Sequence, residues 1–512
     1  MQCTSCNSMN EEGRTSCAAC GHAVAVPRGG GIRFRNPRIR MAETAPEYRS
    51  DLTRHLCVAV HLDSRLAQAT IEGVFGNRRR VFPATYGVDL AVVAQHAIAG
   101  RARHLLRDFL LAALCVLFVI GAALIPVAAT LVLVCLWLVV LGELYASHTY
   151  VERRLTPQAF GERTPPVALS SQQVRRLEEV EEQVLGNVTV YSGYSPFAGN
   201  GDILGSWSFS IDVEKGTELG GPARPFRSEE IRQHVVRAVD DLQWAEIETE
   251  ERLFVSGRNI RNDRRFLPDP GERPVVRLEP DQLRAFQESP EGSARHYTAF
   301  YVSGWHGDLV LAVFLRFVLR PRSLFVEASF SLLPPLQERF YEPDLRMSSG
   351  KGSTLSLSGG ARLLVKSAVL TPGRVFLCWP RLGQAALGPL LSGVREMSER
   401  RAVENGINFD FGAPRSVREM ASSGQYRTYF QQLDKDMYLK VLEGRILDAI
   451  TEFLDTRGVD THSLRERQTT ILNNGVMVSG NASVRAESLA AGPGSAASSV
   501  RQYLRRAGEK AA

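Results

Sequence analysis

The sequence predicts a multi-domain α+β protein with an N-terminal zinc ribbon, a transmembrane helical hairpin, and a cytosolic α+β domain that carries an antiparallel sheet and a long C-terminal helix. Three observations lead to this prediction: a four-cysteine array near the N-terminus, an apolar run of 34 residues without a charge, and alternating strand-like segments followed by a long amphipathic stretch. A chain of 512 residues has room for roughly two to four domains. Its net charge of +6 is modest for this length and does not by itself indicate a nucleic-acid-binding protein.

The four N-terminal cysteines, Cys3, Cys6, Cys17 and Cys20, form two Cys-x2-Cys pairs. Two such pairs can direct four thiolates at one point, which satisfies the tetrahedral coordination of Zn²⁺ and leaves no position for water. We therefore expect a structural zinc ion, with a pair of disulfides or an iron centre as the alternatives. The segment 1–22 resembles the short zinc-ribbon modules that cap many bacterial proteins.

The residues that precede the apolar run divide into a basic linker and a helical unit. Residues 23–50 are rich in Gly and Pro and carry five arginines close together. Such a segment can bind anionic lipid headgroups or nucleic acid. Lipid is the favoured partner because an apolar segment follows, and a solvated linker without a partner is the alternative. Residues 51–105 place apolar side chains at helical spacing, as at Leu90, Val93 and Ala97, and predict a helical juxtamembrane unit.

The uncharged run from Phe109 to Gly142 lies in residues 106–146, which we interpret as a transmembrane hairpin. A helix of 34 residues would be about 51 Å long, whereas the hydrocarbon core of a bilayer is about 30 Å thick. Two spans of about 17–18 residues fit that thickness. The turn is expected between Gly121 and Pro126, because proline interrupts the hydrogen bonds of a helix. One tilted helix that is kinked at Pro126 is the alternative.

Charges on both sides of the hairpin predict its orientation. Arg101, Arg103 and Arg107 precede the apolar run, and Arg153 and Arg154 follow it. Because basic residues flank membrane helices on the cytosolic side, we expect both termini in the cytosol and the protein in a bacterial plasma membrane. The run itself contains no ionisable residue, so it offers no candidate for a transport path and is interpreted as an anchor.

Residues 172–345 are predicted to form the cytosolic α+β domain. A charged helix, two strands and a second helix come first, and a three-stranded antiparallel meander follows. The predicted elements are helix Gln172–Val184, strands Asn187–Tyr191 and Trp207–Val213, helix Ser228–Leu242, and strands Thr298–Ser303, Asp308–Leu319 and Leu324–Leu332.

Residues 361–475 are predicted to be a helical region that packs on this α+β domain. Its first part, residues 361–405, is expected to be broken by Pro372, Pro380 and Pro389. The stretch that contains the last two prolines is apolar enough to lie on a membrane surface but too interrupted to span it.

A long amphipathic helix is predicted from Tyr426 to Thr456. Its apolar side chains form one stripe, which consists of Phe430, Leu433, Met437, Val441, Ile446, Ile450, Phe453 and Leu454. Such a stripe usually packs as core against a neighbouring domain and less often forms a dimer seam. The tail, residues 481–512, is rich in Ala, Ser and Gly and is expected to be disordered.

The loop that follows the first predicted strand is a candidate binding surface. It contains Tyr191, Tyr194, Phe197 and Asn200 among serines and glycines. Aromatic side chains and free backbone amides on a loop between strands can bind a protein partner or a ligand. The alternative is a structured turn whose aromatic side chains pack on the sheet.

Sequence motifs give little support for catalysis. No Gly-x-Ser-x-Gly, His-Glu-x-x-His or strand-linked Gly-x-Gly-x-x-Gly motif occurs in the chain. The segment Ser348–Thr354 is similar to the end of a phosphate-binding loop, but Leu345 replaces the required glycine and Gly352 replaces the required Ser or Thr. The sequence therefore names no catalytic residue and favours a protein without catalytic activity. A deep pocket with converging ionisable groups in the α+β domain would indicate an enzyme.

Several short segments resemble a family of integral-membrane proteins from high-GC Gram-positive bacteria. They are Asn187–Phe197, Tyr429–Gln431, Arg465–Gln468 and Ile471–Val476. The resemblance also covers the hairpin. It implies a membrane protein with a large cytosolic domain and transfers neither an activity nor a site residue.

These predictions lead to three functional hypotheses. The first is a membrane-anchored cytosolic scaffold or sensor that carries a structural zinc ribbon and acts by binding a protein partner. The second is a membrane-tethered nucleic-acid-binding protein that uses the zinc ribbon and the basic linker. The third is an enzyme whose site the motifs do not reveal. Membrane lipid is an expected partner in each case, and the amphipathic helix offers a seam for a homo-oligomer.

Overall fold

The computed structural model describes residues 46–473, except 77–78, 84–85, 125, 161–166, 215, 217–222, 245–246, 289–291, 349–356, 406–408 and 414. The predicted zinc ribbon with Cys3, Cys6, Cys17 and Cys20 lies outside the described residues. So do the tail 481–512 and all but the last five residues of the basic linker.

The described residues form an α+β structure with one mixed sheet. The helices are α1 (Pro46–Leu62), α2 (Ser64–Ile71), α3 (Leu90–Leu124), α4 (Pro126–Arg154), α5 (Ser171–Val184), α6 (Ser228–Asp240), α7 (Pro280–Glu288), α8 (Glu342–Ser348), α9 (Leu357–Glu404), α10 (Val417–Ala421), α11 (Tyr429–Thr456) and α12 (His462–Asn473). The strands are β1 (Val188–Tyr191), β2 (Asp202–Asp212), β3 (Ile247–Ser256), β4 (Ala294–Gly304), β5 (Leu309–Leu319) and β6 (Ser323–Leu333). Short helical turns lie at Glu72–Gly76, Pro157–Phe160, Trp305–Gly307 and Glu338–Phe340.

The predicted pair of apolar helices is present as α3 and α4, which pack against each other. By length and composition, the segments Leu90–Gly121 and Thr130–Arg154 could each cross a membrane. The break between the helices lies in the predicted turn region, where Pro126 is the first residue of α4. Proline is favoured at a helix start because its missing N–H would have no partner there. Large apolar side chains are exposed along both helices: Leu106, Phe109, Leu110, Val116, Leu117, Val119, Ile120, Leu131, Leu133, Val134 and Leu138.

Helix α9 is continuous, so the predicted breaks at Pro372, Pro380 and Pro389 are wrong. The helix packs along both α3 and α4 through a shared apolar core, which comprises Leu111, Ala112, Leu136, Val140, Leu144, Leu363 and Cys378. Proline is tolerated inside a helix when tertiary packing and local adjustment replace the lost hydrogen bond. This part of the helical region therefore packs on the hairpin, whereas we expected it to pack on the sheet.

Helices α1 and α2 pack against the first turns of α3, before its uncharged part begins. Leu56 and Val60 of α1 share a buried core with Val93 and Ala97 of α3. Helix α3 begins at Leu90, so no structural break separates the juxtamembrane unit from the hairpin at residue 105.

The strands form a six-stranded sheet in the order β1-β3-β4-β5-β6-β2. Strand β1 is parallel to β3, and all other neighbours are antiparallel. The predicted meander is confirmed as β4-β5-β6. Strand β5 is central, and Leu309 to Leu315 are all buried, as expected for a strand that is covered on both faces.

Strand β3 is not predicted by the sequence patterns because charged residues interrupt its apolar positions. Glu250, Glu251 and Arg252 are nevertheless buried. Arg252 donates to Glu250, to the Thr189 hydroxyl at 2.8 Å and to the Gly186 carbonyl at 2.9 Å. These bonds offset the cost of removing the charges from water.

Candidate functional site

The predicted binding loop contributes mainly to the core. Phe197 is buried, and its ring stacks on Phe314 with a centroid distance of 3.9 Å. Asn200 is also buried, and Tyr191 at the end of β1 is partly covered. Tyr194 differs from the others because 97% of its surface is exposed. If the loop binds a partner, the contact therefore falls on Tyr194.

A carboxylate from α10 holds this loop in place. Oε1 of Glu419 accepts hydrogen bonds from the backbone amides of Gly199 and Gly201, each at 2.9 Å. Both glycines have positive φ values, of 89° and 85°. A Cβ atom at Gly201 would lie 1.9 Å from the Leu332 carbonyl oxygen, so only glycine fits there. The loop is a fixed turn that presents a single exposed ring.

A larger exposed apolar surface is formed by the N-terminal half of α11 and by the turn at Trp305 beside it. It consists of Trp305, Tyr429, Phe430, Leu433 and Met437, which we call the aromatic face. Phe430 is 64% exposed, Leu433 43% and Met437 46%. Their spacing of three and four residues places them on one side of the helix. Contiguous apolar side chains of this kind mark interaction surfaces more often than isolated ones do.

The same helix buries the other end of its apolar stripe. Ile446, Ile450, Phe453 and Leu454 lie in the core, and the helix contacts α6 and β5. The predicted stripe is thus divided: its C-terminal half packs on the sheet domain, and its N-terminal half is exposed.

Local structure fixes the aromatic face. The Thr428 hydroxyl accepts a hydrogen bond from the Gln431 amide and caps α11. The Trp305 indole N–H donates to Oδ2 of Asp434 at 2.8 Å, which holds the ring beside the helix. Trp305 has a φ of 56°, a conformation that non-glycine residues seldom adopt and that often occurs at functional sites.

The turn that carries Trp305 is fitted closely to α11. A Cβ atom at Gly304 would lie 2.8 Å from the hydroxyl oxygen of Tyr438, so any larger residue there would displace the Tyr438 ring. Arg427 lies over the Tyr341 ring at 3.8 Å and pairs with Asp308 at 2.9 Å. The backbone beneath the aromatic face is therefore held by several contacts.

Charges around the aromatic face are balanced. Asp434 and Asp436 alternate with Lys435 and Lys440 along the same turns of α11. Lys435 and Asp436 form an ion pair of 2.5 Å. The surface therefore combines an apolar centre with charges of both signs, which is the composition of many protein–protein interfaces.

Ionisable groups converge within the sheet domain at Glu251. Its carboxylate binds Arg232, the Thr298 hydroxyl at 3.0 Å and the His296 ring at 2.6 Å. Burial raises the pKa of Glu251, but the contacts with His296 and Arg232 outweigh it, so the pKa lies below its ordinary value. The adjoining cavity has a volume of about 20 Å³, which is room for about one water molecule. This cluster joins α6 to the sheet through buried ion pairs.

No group of three or more His, Cys, Asp or Glu side chains in the described part of the chain could hold a metal ion. The predicted ligands Cys3, Cys6, Cys17 and Cys20 lie outside it, so the zinc ion stays a prediction. Cys57, Cys115, Cys135 and Cys378 are free thiols.

Sequence reasoning missed Trp305 and favoured a core role for Phe430, Leu433 and Met437, with a dimer seam as the alternative. One signal was present in the sequence: the balanced charges of the first three turns of α11 differ from the arginine-rich remainder of the chain. A second signal was the tryptophan that directly precedes His306-Gly307 in a tight turn.

A family model described as an AbeC-like domain matches residues 206–485. The match begins in β2 and extends beyond α12, so it includes α9 and the whole aromatic face but not the hairpin. No curated protein and no protein of solved structure is significantly similar to the chain.

Proposed function

The chain belongs to the AbeC-like family, and we propose that it is a membrane-anchored scaffold or sensor that acts by binding a partner protein through the aromatic face. The anchor is the hairpin of α3 and α4. The basic residues on both of its flanks support a plasma-membrane location with both ends in the cytosol. The aromatic face then acts in the cytosol.

The single observation that carries this proposal is the exposure of Phe430, Leu433 and Met437 on a helix whose other end is buried. Burying one such side chain contributes about 1.5–3 kcal/mol. An apolar cluster of this size is costly in water and is stabilised by a partner that covers it.

The chemistry of the surface favours protein over lipid or nucleic acid. A helix that lies on a membrane usually carries Lys and Arg around its apolar face, and a nucleic-acid-binding surface needs an excess of positive charge. The charges of α11 cancel between residues 429 and 441. We infer a partner with an apolar centre and charges of both signs at its rim.

We assign further contacts to the N-terminal ribbon and to Tyr194. Cys3, Cys6, Cys17 and Cys20 bind one structural Zn²⁺ ion, which stabilises a small module that can present a second contact. Tyr194 offers a further exposed aromatic contact on the sheet domain.

Site-specific photo-cross-linking tests the proposal. A photoreactive amino acid is placed at Phe430 in the full chain, in membranes of the native host, and a matched control is placed at the exposed Asp281 on α7. We expect one discrete adduct from position 430, none from position 281, and loss of the adduct in Leu433→Glu. Leu433 is half-exposed, so this change should leave the melting temperature within the range of a surface substitution.

Two outcomes would contradict the proposal: no adduct from position 430, or an adduct that Leu433→Glu leaves unchanged. Two differently tagged copies of the chain decide whether the partner is a second copy. An adduct that contains both tags would show that the aromatic face binds a second copy of the chain and not a different protein.

A further inference from the structure

A second surface of different chemistry lies where the uncharged part of the hairpin begins. Three helices contribute polar side chains to a cavity of about 50 Å³: Ser64, Arg65 and Gln68 from α2, Arg101, His104, Leu105 and Asp108 from α3, and Arg381 and Gln384 from α9. The four residues from α3 follow helical spacing and lie on one face of that helix.

The cavity is strongly cationic. The guanidinium groups of Arg65, Arg101 and Arg381 form no hydrogen bond or ion pair with any described residue. Asp108 is the one carboxylate in the lining, and Arg107 neutralises it through bonds of 2.8 Å and 2.6 Å. Asp108 and Asp63 attract Arg381 electrostatically but form no ion pair with it, so three guanidinium groups line a small space whose one carboxylate is already paired with Arg107. Close like charges of this kind are unfavourable unless an anion joins them.

His104 adds a buried polar atom without a partner. Its Nδ1 lies 3.1 Å from Oε1 of Glu143, and the side chain is more than nine-tenths buried. Its other nitrogen, Nε2, has no hydrogen-bond partner among the described residues although it is buried. Because Glu143 occupies one side of the ring and His104 lines the cavity, the opposite nitrogen remains available for a hydrogen bond with a bound group.

The position of the cavity suggests the source of the anion. Leu106, Phe109 and Leu110 are exposed on α3 immediately beside the lining residues, and Phe376 and Trp379 are exposed on α9 just before Arg381. Tryptophan is enriched at the boundary between lipid chains and headgroups. The polar cavity thus adjoins the apolar surface, as the headgroup of a lipid adjoins its chains.

We propose that this cavity binds the phosphate group of an anionic membrane lipid, whose acyl chains lie along the exposed apolar sides of α3 and α9. A phosphate group accepts charge-assisted hydrogen bonds from several guanidinium groups at once. The cavity of about 50 Å³ has room for about three or four water-sized atoms, which is enough for the two non-bridging oxygens of a lipid phosphodiester. Basic cavities between membrane helices bind anionic headgroups in this way. The proposal that the phosphate belongs to a lipid depends on the proposed membrane anchoring. Binding of a free phosphate would not depend on it.

Native mass spectrometry of the full chain in a non-ionic detergent tests this inference. Phosphatidylglycerol, phosphatidylcholine with the same acyl chains, and inorganic phosphate are added separately. We expect phosphatidylglycerol to bind with one lipid per chain and about tenfold more tightly than phosphatidylcholine, because the arginines of the cavity repel the choline cation, whereas phosphatidylglycerol carries a net negative charge. Inorganic phosphate should not displace the lipid.

The double variant Arg65→Gln/Arg381→Gln should bind phosphatidylglycerol about tenfold more weakly. The control Arg320→Gln/Arg322→Gln removes the same charge from the β5–β6 turn, where Arg322 is exposed, and should bind as the unmodified chain does. Arg65→Gln alone alters only an exposed side chain on α2, so the fold should persist, and the binding should weaken about threefold.

Three results would overturn the inference. Equal affinity for the two lipids would show that the chain does not select anionic lipid. An unchanged affinity of the double variant for phosphatidylglycerol would show that the cavity is not the binding site. Displacement of the lipid by inorganic phosphate would assign the cavity to a soluble anion. A wrong assignment of the hairpin as a membrane anchor can be recognised separately, because the full chain would then remain in solution after lysis without detergent.

Discussion

Arg374 of α9 donates a hydrogen bond to Glu143 of α4, although 231 residues separate the two in sequence. The same carboxylate lies 3.1 Å from His104 and 3.6 Å from Arg107 of α3. One acidic side chain therefore links α3, α4 and α9 at the level where the uncharged part of the hairpin begins. Through this contact α9, which belongs to the AbeC-like domain, is fixed to the hairpin.

Glu143→Gln should destabilise the assembly of these three helices. The change leaves Arg374 and His104 close together without the carboxylate that they share, while Arg107 keeps its pair with Asp108. Breaking a buried ion pair costs about 3–5 kcal/mol. The melting temperature of the detergent-solubilised chain measures the loss, with Glu178→Gln on the exposed side of α5 as the control. A melting temperature equal to that of the control would contradict the role of Glu143.

Acid should destabilise the unit formed by α1 and the start of α3. His61 is buried, its Nε2 lies 3.0 Å from Nδ1 of His96, and it also contacts Arg103. Burial, reinforced by the charge of Arg103 and by His96, holds the pKa of His61 well below its ordinary value. The folded state therefore keeps His61 neutral, whereas the unfolded chain takes up a proton below about pH 6.5. Stability should fall as the pH decreases below that value.

Thermal unfolding at about pH 7.5 and about pH 5 measures this effect of His61. The variant His61→Phe cannot take up the proton, so its melting temperature should depend less on pH, even if the absolute value is lower. The exposed His462→Gln serves as the control and should retain the full dependence. An unchanged dependence in His61→Phe would show that other groups cause the acid sensitivity.

The two halves of α11 should respond differently to truncation. Ile446→Ala removes a fully buried side chain and should cost about 2–5 kcal/mol. Phe430→Ala removes a larger but exposed side chain, so the free energy of unfolding should change by no more than about 0.5 kcal/mol. Both effects can be measured from the melting temperatures of the purified variants. A large loss for Phe430→Ala would mean that this side chain belongs to the core.

The N-terminal array should hold one zinc ion per chain. Elemental analysis of the purified chain measures the metal, and the double variant Cys3→Ser/Cys6→Ser should contain none, because four thiolates are needed for the closed tetrahedral site. Cys135→Ser, which removes a cysteine from the hairpin, should retain the metal. A metal-free protein with all four N-terminal cysteines intact would exclude the zinc ribbon.

The sequence was sufficient to predict elements whose apolar pattern is simple. The uncharged run, with Pro126 inside it, predicted two helices and the position of their break. The apolar runs of β4, β5 and β6, separated by the segments Gly304–Gly307 and Arg320–Arg322, predicted the meander. In each case the element follows directly from side-chain polarity along the chain.

Other elements depend on contacts that no local pattern contains. Strand β3 buries Glu251 and Arg252 because their partners come from α6, β4 and the loop before β1. Helix α9 continues through Pro380 because the hairpin packs along it. Phe197 is buried although its loop has the composition of a binding surface, because Glu419 fixes the turn. Tertiary contacts override local preference in all three cases.

The candidate site could be predicted only in part. The apolar stripe of α11 was recognised, but helical spacing alone cannot distinguish a stripe that is covered along its whole length from one that is covered along half of it. Trp305 comes from a turn 129 residues before its partner Asp434. Of the three arginines in the hairpin cavity, Arg101 was considered only as an orientation signal and Arg65 was not considered. Arg381 joins them only through the folding of α9.

A cytosolic partner can reach the aromatic face only if both flanks of the hairpin lie in the cytosol, so the decisive measurement is the side of the membrane on which these flanks lie. Single cysteines are introduced at Glu72, before the hairpin, and at the exposed Asp281, after it, and intact cells are treated with a maleimide that cannot cross membranes. We expect that neither cysteine reacts until the cells are permeabilised. Labelling of either position in intact cells would place that side of the hairpin outside the cell and would exclude a hairpin with both flanks in the cytosol.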